Sequence, residues 1–462
     1  MARTKVPSEF IGNLSVGTNN VGLGNNALSD GSLSGGSNTA VGHIALQANT
    51  TGSSNTGIGR SALQLNTTGS YNTAGGQYSL LNNTTASNNT AFGYAALQEN
   101  TTGTSNVAMG SLALDANTTG NYNVGVGEAT LSANTTASNN TAVGFYALLS
   151  NTTGGDNVSV GNDSLRTNTT GGANSALGKY ALYSNTTANY NVAVGYNSLY
   201  TNTTGTSNVA MGSFALDANS TGSRNTAIGD FVLSAATGDN NTAVGRAAGL
   251  ALTTGVNNTF IGAYNGATGG SGAEITTGSK NTILGSYNGN QGGIDIRTAN
   301  NHIVLSDGDG NPRALWDNAG NYYQLASGSG LFIGGTSSAN KLDDYEEGTW
   351  TPNVNVNGHT QSVSSTSGKY VKIGSMVHAY FSINYSAAGY ASSWSLINNL
   401  PFAIPSGGYD GTAGNYGTSS ISTNAWGSPT WVAKGSSAVY MYASYSTVNT
   451  ANYSGFCVYF IS

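Results

Sequence analysis

Few side chains in this chain are equipped for chemistry, and their spacing argues against it. Asp307, Asp309 and Asn311 stand at alternate positions, as the first ligands of a calcium loop do. Such a loop also needs a glycine at its sixth position and a glutamate at its twelfth. Here Gly308 and Gly310 come too early and no such glutamate follows, so the segment reads as a hairpin turn. Asp343, Asp344, Glu346 and Glu347 form the only acidic cluster. Paired carboxylates serve glycoside cleavage, but neighbours in a linker-like opening read as solvated or paired surface charge. His43, His302, His359 and His378 share no metal-ligand spacing, and His378 lies in an alternating, strand-like stretch. Cys457 is the single cysteine and reads as a small apolar residue. No phosphate loop of the form G-x-x-x-x-G-K-[ST] occurs. The expectation is a protein that is not an enzyme and carries neither metal nor cofactor.

Recognition is the chemistry that remains. Tyr and Trp dominate binding hot spots because one ring combines apolar area with a polar handle. The C-terminal region holds Trp394, Tyr409, Tyr416, Trp426, Trp431, Tyr440, Tyr442, Tyr445 and Tyr453. Some of these must pack a core. Tyr409, Tyr416 and Trp426 sit in Gly/Ser/Asn-rich surroundings and are the candidates for contact with a binding partner, against sugar rings or a pocket on another protein. Core or interface packing is the competing reading for each.

The elements that must present these residues follow from a repeat. Twelve Asn residues, from Asn38 to Asn225, stand seventeen positions apart. Each opens a unit close to N-T-A-V-G-x-x-A-L-x-x-N-T-T-G-x-x, with Gly always four residues on and Leu always eight. A fixed short period means units that stack only on their neighbours. The array begins weakly at Asn20, slips by one residue at Asn241, recovers at Asn258 and ends at Asn281 after a Gly/Ser-rich insertion at Gly269–Gly272. Gly and Asn recur too often for helices, and no 3.6-residue apolar period is sustained. Within a unit the pattern predicts two short extended segments, such as Thr90-Ala91-Phe92 and one containing Ala96-Leu97, with corners at Gly93 and Asn100–Gly103. Strands stack about 4.8 Å apart, so some fifteen coils predict a rod of roughly 70 Å. One coil offers one Leu, one Val, Ile or Met, and small Ala residues as core. That is thin, and side-by-side association of chains, most naturally threefold, would add burial. The paired Thr residues of each N-T-T-G would make hydroxyl files like those of ice-binding solenoids only if both faced outward; adjacent residues point apart and read as a turn.

Composition narrows the class. Only 7% of the 462 residues are charged, 66 are Gly, and the net charge is −6. No basic face is available for phosphates, so nucleic acid is excluded as a partner. No stretch is apolar enough to cross a membrane as a helix, and no apolar segment follows the charged N-terminus as in a signal peptide.

The N-T-A-V-G-x-x-A-L units resemble the N-S-V-A-I-G-x-x-A units in the heads of trimeric autotransporter adhesins, and the match covers residues 19 to 286. That resemblance implies parallel β-rolls in a homotrimer. The fuller form, with N-T-T-G, is similar to arrays in bacteriophage tail fibres. S-D-G-D-G-N-P-R-x-x-W-D from Ser306 to Asp317 is similar to meanders that follow such arrays. Leu342–Pro352, with its Y-E-E-G-T-W-T-P, then Tyr370–Gly374 and Leu400-Pro401-Phe402, resemble three ordered hallmarks of a tail-fibre C-terminal domain. The resemblance implies an all-β sandwich that trimerises at the fibre tip. Alternating stretches such as Val439–Ala443 and Phe456–Phe460 read as its strands.

The expected organisation is a virion attachment segment at 1–18, a β-solenoid shaft at 19–300, a β-meander neck at 301–340 and a receptor-binding β-sandwich tip at 341–462. The expected partners are two further copies of the chain, a tail or adaptor protein at the N-terminal segment, and a host surface polysaccharide or outer-membrane protein. The expected location is the phage tail, assembled in the host cytoplasm. A capsid-attached fibre, a bacterial surface adhesin and a polysaccharide-cleaving tailspike are the alternatives.

Overall fold

A computed structural model describes residues 19–262, 264, 266 and 269–325, and beyond them 345–356, 363–373, 376–385 and the further strands named below. All regular structure among the described residues is β. The chain divides into two units, Met1–Leu325 and Ala326–Ser462.

The first unit is a parallel β-solenoid. Three-residue strands from Val21–Leu23 to Thr282–Leu284, followed by Ile303–Ser306, stack in parallel with equivalent positions in register. Seventeen such rungs span roughly 77 Å at strand spacing. The seventeen-residue period holds because each coil is closed by asparagine. In the coil that opens at Asn89, the side-chain amide donates to Gly103 O at 2.9 Å, and Asn100 donates to the same carbonyl at 2.9 Å. The side-chain oxygen Oδ1 of Asn89 accepts from the backbone N–H of Asn106 in the next coil at 2.9 Å. Sixteen bonds of this last kind, all 2.8–3.0 Å, run unbroken from Asn20 to the backbone N–H of His302. A second ladder runs side chain to side chain from Asn49 to Asn219, at 2.8–3.1 Å.

Two details differ from the sequence reading. Each coil holds one strand, not two. Ala95 and Leu97 take φ of 55° and 53°, the left-handed region, which an extended segment cannot contain. The coils are still joined there, by Leu97 N–H to Ala113 O at 3.0 Å and Glu99 N–H to Asp115 O at 2.9 Å. The Val, Ile or Met of each unit is also not core. A strand turns alternate residues to opposite faces, so the middle Ala is buried while its neighbours face out: Ala91 is fully buried and Phe92 44% exposed. The core is Ala and Leu alone over most of the rod. Gly93 occupies its corner for the expected reason, with φ of 137° and a notional Cβ only 2.3 Å from Gly110 O.

The insertion leaves the strands in register, since Thr259 still pairs with Thr282 across twenty-three residues. Longer coils enclose more space, and the inward residue grows from Ala243 to Phe260, Ile283 and Val304. The second Asn ladder stops in the same region. Ala236, Leu252, Ile275 and Ile296 are its apolar successors, all buried. Asn219 Oδ1 is consequently left without a partner.

Ile303–Ser306 closes the parallel stack and opens an antiparallel meander through Pro312–Trp316 and Tyr322–Gln324. The first strand of the expected neck is thus the last rung of the shaft. In the second unit, Tyr345–Trp350, Val363–Ile373, Met376–Tyr385 and Ala451–Phe460 form one antiparallel sheet in that order. His359–Thr360, Asn353–Val356, Ser393–Asn398, Val439–Ala443 and Trp431–Val432 form a second.

Replacement of a mid-ladder asparagine, Asn134→Leu, strands Asn117 Oδ1 and one N–H of Asn151. Asn219→Leu removes a side chain whose oxygen already lacks a partner. Each buried polar group left unmade costs about 1–3 kcal/mol. Chemical denaturation should therefore show the Asn134 variant to be the less stable of the two by about that amount.

Candidate functional site

Tyr409, Tyr416 and Trp426, the residues singled out for receptor contact, lie outside the described residues. So do Asp343 and Asp344 of the acidic cluster. Glu346 and Glu347 are adjacent on Tyr345–Trp350, so the strand turns them to opposite faces. Glu346 accepts from the Tyr370 hydroxyl at 2.7 Å, which holds that phenol above its ordinary pKa. The glycines of this motif and of its partner strand have a packing role. Gly348 lies opposite Tyr370 and Gly368 opposite Trp350, and in each pair the ring occupies the space a Cβ would need. Trp350 further donates its indole N–H to Tyr380 O at 3.2 Å.

Asp307 is a turn residue. Its carboxylate accepts the backbone N–H groups of Asp309 and Asn311, at 3.1 and 2.9 Å, and the guanidinium of Arg313. Asp317 repeats the device, accepting from Ala319 and Asn321 N–H at 2.9 Å each and from the Tyr323 hydroxyl at 3.0 Å. Gly310 and Gly320, both at φ of 85°, complete the two turns. Among the described residues no three His, Cys, Asp or Glu side chains are placed to hold a metal ion. His302 Nδ1 lies 2.8 Å from Asn300 O, and His378 is part-buried between Val371 and Val458 on neighbouring strands. The paired Thr residues do point apart: Thr67 Oγ1 donates to Thr84 O at 3.0 Å, while Thr68 is exposed.

Most of the exposed large apolar side chains among the described residues lie on the solenoid. The outward third position of each strand makes an apolar file along the rod, including Ile58, Phe92, Met109, Leu177, Met211 and Ile228, each 39–52% exposed. The one gap, Gly75, is covered by the ring of Phe92. A second feature is an aromatic run in which Tyr183 stacks on Tyr200, Tyr180 meets Tyr183, Tyr196 and Tyr200, Tyr196 meets Phe214, and Phe214 stacks on Phe231 at 4.9 Å. Arg166 and Lys179 lie over Tyr183 and Tyr180 at its start. A third is a set of isolated tyrosines at the corner before the anchor Asn: Tyr71, Tyr122 and Tyr190, 63–68% exposed. The strand file and the tyrosine corner each keep one position of the seventeen-residue unit, while the aromatic run draws on three, the fifth (Tyr196), sixth (Tyr180, Phe214, Phe231) and ninth (Tyr183, Tyr200) residues after the anchor Asn.

No helix among the described residues is long and apolar enough to cross a membrane. Comparison with protein-family models, with curated proteins and with solved structures finds no match for this chain.

Arg313 and Asn321 hold the carboxyls of Asp307 and Asp317 down to about 2, against an ordinary 3.8. A folded pKa below the unfolded one means the stabilisation is fully present above pH 3.8 and is lost as pH falls through about 2. NMR titration should place both carboxyls near pH 2. An Asp307→Asn/Asp317→Asn variant should lose less stability than the wild type on acidification across that window.

Proposed function

We propose that this protein is a homotrimeric bacteriophage tail fibre, a structural virion component that attaches the particle to its host. The observation that carries the reading is the apolar file on the outer face of the parallel strands, repeated at every rung of the stack except at Gly75. A rod whose core is Ala and Leu over most of its length, and whose outward third strand position is Val, Ile, Leu, Met or Phe, gains most from burying that file against copies of itself. Threefold closure buries one file per chain and leaves no open edge. The motif resemblances, at the repeats, at the meander and at the opening of the second unit, assign the rod to the phage-fibre class, with residues 1–18 as the segment that engages the particle.

In this reading the two antiparallel sheets of the second unit pack face to face as a sandwich at the tip, and loops carrying Tyr409, Tyr416 and Trp426 contact a host polysaccharide or outer-membrane protein. Three tips per fibre and several fibres per particle give avidity without a tight individual site. No cleavage of the receptor is required.

Sedimentation of the purified chain should give three chain masses, and a charged residue in the file (Met109→Glu with Met211→Glu) should reduce it to one. Host-cell binding should be kept by the full-length protein and lost by a chain lacking residues 341–462 that still sediments as a trimer. Equal binding by both would move adhesion away from the tip.

A further inference from the structure

The corner residue before each anchor Asn lies in the left-handed region in every regular coil, with φ near 60°. Asn tolerates that conformation best among residues with side chains, and bulky residues rarely adopt it. Asn88 and Asn139 stand there in two coils, and Ser54 and Ser105 in two more. Their backbone N–H groups make the same bond to the preceding coil that the tyrosines make: Ser54 to Gly36 O at 2.9 Å, Tyr71 to Ser53 O at 3.0 Å, Asn88 to Ser70 O at 3.1 Å. The corner therefore does not need a ring. Yet Tyr71, Tyr122 and Tyr190 place one there, at φ of 60°, 58° and 61° and at 66%, 63% and 68% exposure. Among the described residues none has a side-chain hydrogen bond or ring contact, unlike the Tyr180–Phe231 run, whose rings meet one another.

The three rings are three and four coils apart, roughly 14 and 19 Å along the rod. The corner positions flanking them are Ser54 and Asn88, Ser105 and Asn139, and Ala173 and Ser207, none of which is charged. A protein partner is held by a contiguous apolar patch with buried anchors. Isolated rings in one file, separated by Asn88 and Ser105 and then by Asn139, the exposed carboxylate of Asp156 and Ala173, suit a long polar polymer that offers an apolar face at intervals. Sugar rings offer that face, and the absence of cations at the flanks removes any preference for anionic chains. We infer that the Tyr71–Tyr122–Tyr190 corner is a carbohydrate-binding track on which a neutral polysaccharide lies along the shaft. This site is separate from the proposed tip and does not depend on it.

Affinity electrophoresis of the full-length protein through gels containing dextran, mannan or a galactan, with alginate as the anionic control, tests the inference. The wild type should be retarded by at least one of the neutral gels. The Tyr71→Asn/Tyr122→Asn/Tyr190→Asn variant carries the residue that other coils already use, so its melting and sedimentation should be unchanged. Its retardation should fall by about tenfold or more in apparent Kd. No retardation in any neutral gel, retardation in alginate alone, or equal retardation of the variant would overturn the track. A change in the variant's oligomeric state would overturn it too, by placing the rings in a copy-to-copy contact. Substitution of Tyr409, Tyr416 and Trp426 should leave the retardation untouched while abolishing cell binding, so failure of either reading leaves the other standing.

Discussion

One carbonyl oxygen per coil, shared by two asparagine side chains, governs the shaft. Gly103 O accepts from Asn89 and Asn100, and the equivalent atom does so in coil after coil. A buried amide without partners is costly, so a chain that places two in every coil must close each coil on them. That closure fixes the length of a unit far more tightly than a Leu-and-Ala core would, since apolar contact is not directional. The side-chain oxygen of the first Asn accepts from the next coil and the remaining N–H of the second donates to the preceding one, which makes the stack a continuous hydrogen-bonded column.

The cost of this closure is local backbone strain. Three residues per regular coil, such as Tyr71, Tyr78 and Leu80, turn in the left-handed region, and Gly76 turns in a region reserved for glycine. A single such residue costs on the order of 1 kcal/mol, which the polar ladders and the inter-coil backbone bonds offset. Where the second Asn ladder stops, after Asn219, apolar residues take over its positions and the enclosed side chains enlarge to Phe260 and Tyr287. Burial raises the pKa of Tyr287, whose hydroxyl donates to Ile294 O at 2.9 Å. The anchor Asn still closes these last coils, at Gly238, Gly255, Gly278 and Ala299 O, while apolar filling replaces the second Asn of each.

A column closed from within leaves its outer surface free to be specified rung by rung. The same seventeen-residue unit carries an apolar strand file, an aromatic run and the tyrosine corner at different phases. Each phase is a separate surface, because stacking carries every position straight along the rod. In the reading proposed above, one phase holds the copies together and another meets a polysaccharide, while the tip supplies a further contact.

Much of this was legible in the residues. The spacing of Asn, Gly and Leu determined a parallel stack with that period and the one-residue slip at Asn241, because identical units can bury a hydrophobic face only by stacking in register; the strands and turns from Ile303 to Gln324 were legible instead from short apolar runs between Asp/Gly/Asn turns. Gly93 announced its corner, since no other residue leaves room for the neighbouring coil. Spacing alone did not reveal that Leu97 turns in the left-handed region, that the coil has a single strand, or that the Val, Ile and Met of the repeat face outward. Those depend on which side of a three-residue strand the chain closes, and closure is decided by the carbonyl that Asn89 reaches fourteen residues on. The sequence by itself determined the period and the stacking. Only the tertiary structure decided which residues face inward, because that choice is made by hydrogen bonds between positions distant in the coil.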